Sequence, residues 1–442
     1  MMKNMIHSWR DRIARLNQTF YRLPYCVPVW GWAEHRALIR CLMTGQVIDG
    51  PDTHRMLQSI RRMTGVEHVF GFNCGKEAIL AALKAAGIGR SDRVVMPSYC
   101  CETVASAVTG CGAEPIFCDI GDDLNPDVDH ILRLIDENPR AVIFPHLFGN
   151  PGRIDLLESK LEERGIRRNI FVIDDAAQSF GAKLNGRLLG TYGDAGIVSL
   201  GAGKTMTASG GGFLITKSDA LAEGLARLPL AEVDPREKRR HLFYWLIFRR
   251  WRRLSLPVYP LLKFFFRKGI SRSENPRPIC NVDAAIGIEQ LRKLDDFITI
   301  RNKRSRMLTD DLVSNGGGVV VAVRGDGASA SGMLASSTKY ILRAVHSQDV
   351  ARARAHYNRC FRDSGVEIMP LYTPIHLKAG CTKTCAALEK TEKYHDRTFQ
   401  VPVEPSMSDR DFQFIRRRFE NWLRTCGKDL REPGAFSAGK IA

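Results

Sequence analysis

The sequence predicts an α/β protein: a mostly parallel sheet with helices on both faces, followed by a smaller α+β part. Two observations carry that expectation. Apolar runs at Val94-Val95-Met96, Pro115-Ile116-Phe117-Cys118 and Ala141-Val142-Ile143-Phe144 recur with a stretch between them that could cover a sheet, and alternating strand and helix is the pattern of a parallel sheet. An apolar strand, Phe171-Val172-Ile173, then ends in two acids, Asp174-Asp175, which places a carboxylate at the C-terminal edge where open α/β sheets bind ligands.

The elements follow in order. Helical spacing of Ile79, Leu80 and Leu83 marks a helix over Glu77 to Ala86 ahead of the first runs. The strand Ala195 to Leu200 follows the acidic one. Ala284 to Arg304 reads as one long amphipathic helix, and Gly318 to Ala322 and Lys339 to Arg343 as strands of the smaller part. The expected division is an N-terminal arm over 1–30, a large domain over 31–225, an insertion over 226–275, a small domain over 276–430 and a loose tail over 431–442, with no internal repeat.

A chain of 442 residues can bury two cores, and 44% hydrophobic with 26% charged residues is ordinary globular usage. The 12 cysteines lack paired zinc spacings apart from Cys381-x-x-x-Cys385, so no metal is expected and reduced thiols are. Met1 to Arg22 holds no long apolar run, so neither a secretory signal nor a membrane span is expected, and the expected location is cytoplasmic.

The net charge of +17 is concentrated. Arg236 to Arg272 carries 12 Lys or Arg against the single acid Glu237, interleaved with Phe243-Tyr244-Trp245, Trp251 and Phe264-Phe265-Phe266. No uninterrupted run reaches the roughly 20 residues of a bilayer span. Two readings stay open: an interfacial pair of helices broken at Pro257 and Pro260, docked peripherally on anionic lipid at the inner face of the membrane, or a surface packed on the enzyme itself or at a subunit contact. No nucleic-acid reading module appears.

The chemistry is concentrated in one stretch. After Asp174-Asp175-Ala176-Ala177-Gln178, the next strand runs into Ser199-Leu200-Gly201-Ala202-Gly203-Lys204, and Gly210-Gly211-Gly212 lets backbone approach closely. Pyridoxal phosphate needs a carboxylate to keep its ring nitrogen protonated and an amine to carry it covalently. Asp175 and Lys204 meet those needs on one sheet edge, with Asp174 left to cap the next helix. Gln178 is either a cofactor contact or a structural hydrogen bonder. His146, in Phe144-Pro145-His146-Leu147-Phe148-Gly149, and His376 are each either substrate contacts or satisfied structural histidines.

This spacing resembles the DegT/DnrJ/EryC1/StrS sugar aminotransferases, fold type I pyridoxal phosphate enzymes. Asp175 to Gln178, Gly190 to Asp194, Ser199 to Lys204 and Gly211-Gly212 match its motifs. Gly50-Pro51, the turn Asn73-Cys74-Gly75-Lys76-Glu77-Ala78, Asn281 to Arg301 and Tyr372 to Leu377 extend the match over about residues 31 to 425. Two positions depart from it. Lys76 stands where the family has Thr or Ser, and Cys101 where it has a ring that stacks on the cofactor.

The resemblance implies a homodimeric aminotransferase for surface polysaccharide or related glycan biosynthesis. It would pass an amino group from glutamate to a nucleotide-linked keto sugar, both small molecules. Lys204 would hold the cofactor and carry the proton. Gly75 and Lys76 would bind phosphate at a helix N-terminus; Ser199, Gln178, Asp175 and Cys101 would surround the rest, and Asn281 would reach the partner's cofactor phosphate. A sugar dehydratase of this fold carries His in place of the lysine, so Lys204 argues against it. A non-catalytic membrane-docking or regulatory protein on this fold is the remaining alternative.

Overall fold

A computed structural model of the chain describes residues 23, 27–135, 139–246, 274–315, 320–323, 333–345, 350–368, 371–378 and 387–429. The expected tail over 431–442, nearly all of the arm before residue 27, Cys381 and Cys385 and the basic stretch from 247 to 272 lie outside the described residues.

Two helices, α1 (Trp32–Met43) and α2 (Pro51–Thr64), lead into β1 (His68–Phe72) and α3 (Gly75–Ala85). Then β2 (Arg93–Pro97), α4 (Glu102–Gly110), β3 (Glu114–Cys118), α5 (Val128–Leu134), β4 (Ala141–Pro145), α6 (Ile154–Glu163) and β5 (Phe171–Asp175) alternate. A hairpin, β6 (Lys183–Leu184) and β7 (Arg187–Leu188), precedes β8 (Ala195–Ser199) and β9 (Gly212–Thr216). The central sheet has seven strands in the order β1-β9-β8-β5-β4-β2-β3. Its strands β2 to β5 and β8 pair in parallel, and β9 runs antiparallel to both β1 and β8. Every residue of β4 and β8 is buried, because helices cover both faces of a parallel sheet and leave no side to alternate toward water.

After β9 come α7 (Asp219–Ala226) and α8 (Pro235–Trp245), then α9 (Asn281–Leu291) and α10 (Leu294–Asn315). The long helix expected over Ala284 to Arg304 is therefore two helices. The first is buried almost all round, with Val282, Ala284, Ala285 and Ile286 in one core with Trp30, Met56 and Ile60. Residues 281–291, expected in the small domain, thus pack with the large one. The changeover falls inside α10, whose Leu294 and Ile298 join that core while Leu308 joins the next.

The smaller lobe holds a three-stranded antiparallel sheet, β10 (Val320–Ala322), β12 (Tyr340–Ala344) and β13 (Thr398–Val401), in the order β10-β12-β13. Before β12, β11 (Met333–Leu334) pairs with β6 and so ties this lobe to the hairpin of the large one. The helices α11 (Val350–Cys360) and α13 (Asp409–Asp429) close a core around Tyr357, Phe399, Phe419 and Trp422. A short helix, α12 (Glu389–Tyr394), has its N-terminus capped from the large lobe, where Asp119 accepts from the N–H of Lys390 and of Thr391 at 2.9 and 2.7 Å.

Among the described residues no helix is long and apolar enough to cross a membrane.

Candidate active site

At the C-terminal edge of β4, β5 and β8 the chain encloses a cavity of about 160 Å³. Gly75, Lys76, Cys101, Asp175, Gln178, Ser199 and Lys204 all line it. Parallel strands bring their C-terminal ends to one side whatever the length of chain between them, which is how Cys101 and Lys204 come to face one space.

One end of the cavity is the start of α3. Its N-cap, Cys74, makes no side-chain cap hydrogen bond, so the first amides of the helix remain as donors, with the helix dipole behind them. Gly75 fits closely there: a Cβ would stand 3.1 Å from the Cβ of Ser199, tighter than an ordinary contact. Gly212 is under a harsher constraint, since its Cβ would stand 2.6 Å from the Gly75 nitrogen. The glycine run thus brings backbone against the turn, where Gly211 N–H donates to Asn73 O at 2.7 Å. The helix-start amides, the Ser199 hydroxyl and the half-buried Lys76 give this end the donors and positive charge that suit an anion.

The other end holds one of the two adjacent acids. Successive side chains of a strand point to opposite faces, and Asp174 and Asp175 differ accordingly. Asp174 is fully buried, accepts from His146 Nε2 at 3.0 Å and takes the N–H groups of Gly190 and Tyr192 at 2.6 and 3.0 Å. Asp175 faces the cavity and accepts from Ala177 N–H at 3.0 Å. Burial pushes the Asp175 carboxyl above its ordinary range, while the Lys204 charge, the Ala177 N–H and His146 pull the other way. A bound cationic ring nitrogen would relieve that penalty.

Lys204 sits in the turn after β8, half-buried on the cavity wall. The backbone of that turn is held from α10: the fully buried Arg301 donates to Thr205 O at 3.1 Å and to Lys204 O at 3.4 Å, and pairs with Glu404 at 3.6 Å. Gln178 accepts from Phe148 N–H at 3.3 Å, which leaves its NH₂ end for a ligand. Cys101 closes the side wall, its thiol 3.0 Å from the Thr103 hydroxyl.

Three expected residues lie elsewhere. His146 is fully buried, with Nε2 on Asp174 and Nδ1 accepting from Gly152 N–H at 2.9 Å, so both ring nitrogens are spent on the scaffold and it is no substrate contact. His376 is absent from the cavity wall; its Nδ1 lies 2.6 Å from the Ser98 hydroxyl and its Nε2 3.4 Å from Glu392. Asn281 is fully buried in its own subunit, where Oδ1 accepts from Asp52 N–H at 2.8 Å and Thr53 N–H at 3.3 Å and Nδ2 donates to Gln46 O at 2.9 Å. It caps α2 across 229 positions of sequence, in place of the side chain that Gly50 lacks, and cannot also reach a neighbour's phosphate.

Sequence reasoning also left out Arg301 and Cys74 as parts of this site. Arg301 closes the motif that begins at Asn281, and its helical spacing from the buried Leu294, Phe297 and Ile298 was the available signal. Cys74 lines both this cavity and a second one of about 340 Å³ that holds Gly201, Lys238, His241 and Trp245.

The residues present fit pyridoxal phosphate: a helix-start amide nest against which Gly212 packs without a side chain, a buried carboxylate carrying one N–H bond, and an amine on the same cavity wall. Comparison with known proteins agrees. The profile of the DegT/DnrJ/EryC1/StrS aminotransferase family matches residues 31–420. The chain is 25% identical over 399 residues to the spore coat polysaccharide biosynthesis protein SpsC of Bacillus subtilis, covering 88% of this chain and 94% of that one. It is 24% identical over 407 residues to the GDP-perosamine synthase of Vibrio cholerae, with 91% and 99% covered. The fold is also that of the solved aminotransferase TlmJ from Streptoalloteichus hindustanus, with a TM-score of 0.74, 24% identity, and 91% and 99% covered. The chain therefore belongs to the DegT/DnrJ/EryC1/StrS family and is a pyridoxal phosphate-dependent aminotransferase.

Proposed function

We propose that this enzyme moves an amino group from glutamate to the keto group of a nucleotide-linked sugar, in the synthesis of a surface polysaccharide or related glycan. The convergence of Lys204, Asp175 and the α3 N-terminus on one cavity carries the chemical part of this reading. The names of relatives that act on GDP-linked sugars support the substrate part.

When bound, the cofactor supplies an electron sink. The Asp175 carboxylate would hold the proton on its ring nitrogen, and the α3 amides with Ser199 and Lys76 would hold its phosphate. Lys204 Nζ would hold the cofactor and, as a free amine, would carry the proton from the donor's α-carbon, while Arg301 keeps the turn that presents it in place. We propose a homodimer as the working unit, supported by the family resemblance; sedimentation of the purified protein tests it.

The test of function is an assay of purified enzyme with glutamate and a panel of GDP-, dTDP- and UDP-linked keto sugars. Amination of at least one, by a yellow protein, is expected. A protein that stays colourless and inactive with added cofactor would overturn the reading.

A second reading concerns location. The face of α8 away from the core exposes Arg236, Arg239, Arg240, Phe243 and Tyr244, while Lys238, Leu242 and Trp245 are buried. Cations and rings on one helix face suit an anionic bilayer surface, each nearby Lys or Arg contributing about 1 kcal/mol. We propose peripheral contact through this face and the basic stretch that follows it. Cosedimentation with anionic vesicles, lost in high salt and in an Arg239→Gln/Arg240→Gln variant, is expected; equal pelleting with neutral vesicles would count against it.

A further inference from the structure

A further cavity, an open groove of about 880 Å³, shares no lining residue with the other two. It lies toward the opposite edge of the central sheet. Lys217 follows β9, whose Ile215 pairs with Gly196 near the start of β8, whereas Lys204 follows the other end of β8. Three chain segments supply its charges: the β6–β7 hairpin, the turn after β9, and α10. Gly181 sets the hairpin tightly on α10, since a Cβ there would stand 2.5 Å from Ile298 Cδ1, and the pairing of β11 with β6 brings Leu334 to the same wall.

The charge of the groove is one-sided. Lys183, Arg187, Lys217 and Arg306 line it against the single acid Asp295. Lys183, Lys217 and Arg306 are exposed, and none of them pairs with a carboxylate among the described residues. Arg187 is half-buried and already held. Its guanidinium lies 4.0 Å from the centre of the Tyr192 ring, its Nε donates to Thr191 Oγ1 at 3.2 Å, and Glu158, at 3.9 Å from Nη1, is beyond hydrogen-bonding reach. A planar fork fixed in advance loses little freedom on meeting a phosphate. Met63, Leu188, Ile298 and Leu334 add apolar surface to the same groove. A cleft lined by one sign of charge focuses its field on the space inside, and cations on three segments around a space of this size suit more than one phosphate group.

We propose that this groove is a second ligand site, separate from the cofactor cavity, for an anion that joins a diphosphate to an apolar body, the chemistry of a nucleoside diphosphate. Arg187, Lys183, Lys217 and Arg306 meet the phosphates, and the apolar wall meets the organic part, as in pockets where a few polar groups orient a ligand over an apolar lining. The site stands whether or not the cofactor reading does, because no residue is common to the two cavities.

Calorimetric titration of the full chain, saturated with pyridoxal phosphate so that the α3 end is filled, tests the proposal with three probes: GDP, inorganic pyrophosphate and guanosine. GDP should bind most tightly, and less tightly as salt is raised. Lys183→Gln, Lys217→Gln and Arg306→Gln change exposed side chains and should each weaken GDP binding about three- to tenfold, the loss of one charge-assisted contact. Asp295→Asn, which removes the opposing charge, should strengthen it. Arg168→Gln, an exposed cation outside the groove, should change nothing and so separates a site from the general attraction of a basic protein. Hydrogen exchange should slow at residues 181–191 and 294–306 when GDP is added. Any equivalent of GDP that the triple variant Lys183→Gln/Lys217→Gln/Arg306→Gln retains belongs elsewhere on the protein; a triple variant that loses no equivalent overturns the proposal, as does equal weakening by Arg168→Gln. Pyrophosphate binding as tightly as GDP would strike out the organic body, and guanosine binding as tightly would strike out the diphosphate.

Discussion

The cofactor cavity and the polar knot directly beneath it share one strand and are built on opposite plans. In the knot every polar group is spent: Asp174 takes three donors, and His146 uses both ring nitrogens. In the cavity, among the described residues, Asp175 holds one N–H, Gln178 one, and Ser199 accepts from Gly201 N–H at 3.3 Å. The knot is a scaffold, since buried polar groups in a folded core are satisfied. The cavity keeps bonding capacity in reserve for a ligand, at some cost to the empty protein. Saturation, more than burial or residue type, separates the two.

That contrast can be broken first at Lys204. Lys204→Ala should remove the visible absorption band and lower turnover by several powers of ten, with a denaturant midpoint close to wild type because the side chain is half-buried and serves no scaffold contact. A large loss of stability would move Lys204 to the scaffold.

The reverse is expected at His146. His146→Ala strips one of three donors from the fully buried Asp174 and orphans the Gly152 N–H, and a buried polar group left unsatisfied costs about 1–3 kcal/mol. Chemical denaturation reads this directly; a change below about 1 kcal/mol would mean the knot is not the scaffold proposed.

Asn281→Ala should cost about 1–2 kcal/mol, the usual loss for a helix cap, and leave cofactor affinity unchanged. Weaker cofactor binding at unchanged stability would return Asn281 to the active site.

The smallest effect is one of pH. The Asp175 carboxyl is raised in the folded protein, so its contribution to stability is present at low pH and is lost as pH rises from the ordinary carboxylate range through its raised value. Asp175→Asn should therefore melt higher than wild type at neutral pH, both free of cofactor, with the difference vanishing once both states are protonated. His241 runs the other way: burial holds it near pKa about 4, so stability is lost as pH falls from about 6.5 toward that value.

Much of this was legible in the sequence. Strands β2 to β5 and β8 each carry an apolar run, and Asp175, Ser199 and Gly75 stand at strand or helix ends with Lys204 in the turn just after β8, where local spacing predicts position. What escaped depends on partners far along the chain. Asn281 looks like a free amide until its bonds to Asp52 and Thr53 are seen, and His146 ends a strand at the ligand edge yet turns beneath it. The helix break before Leu294 was hidden because α9 is buried nearly all round, which removes the periodicity that would mark its end.

The central claim is the division of labour between two adjacent acids, and the paired variants Asp174→Asn and Asp175→Asn test it most directly, each measured for turnover and for melting temperature with cofactor removed. Asp175→Asn should lose several powers of ten in turnover with its melting temperature held or raised. Asp174→Asn should melt well below wild type and, where still folded, turn over far better than its neighbour. A crippled Asp174→Asn that melts normally, beside an active Asp175→Asn, would contradict the account and place the cofactor on the other face of the strand.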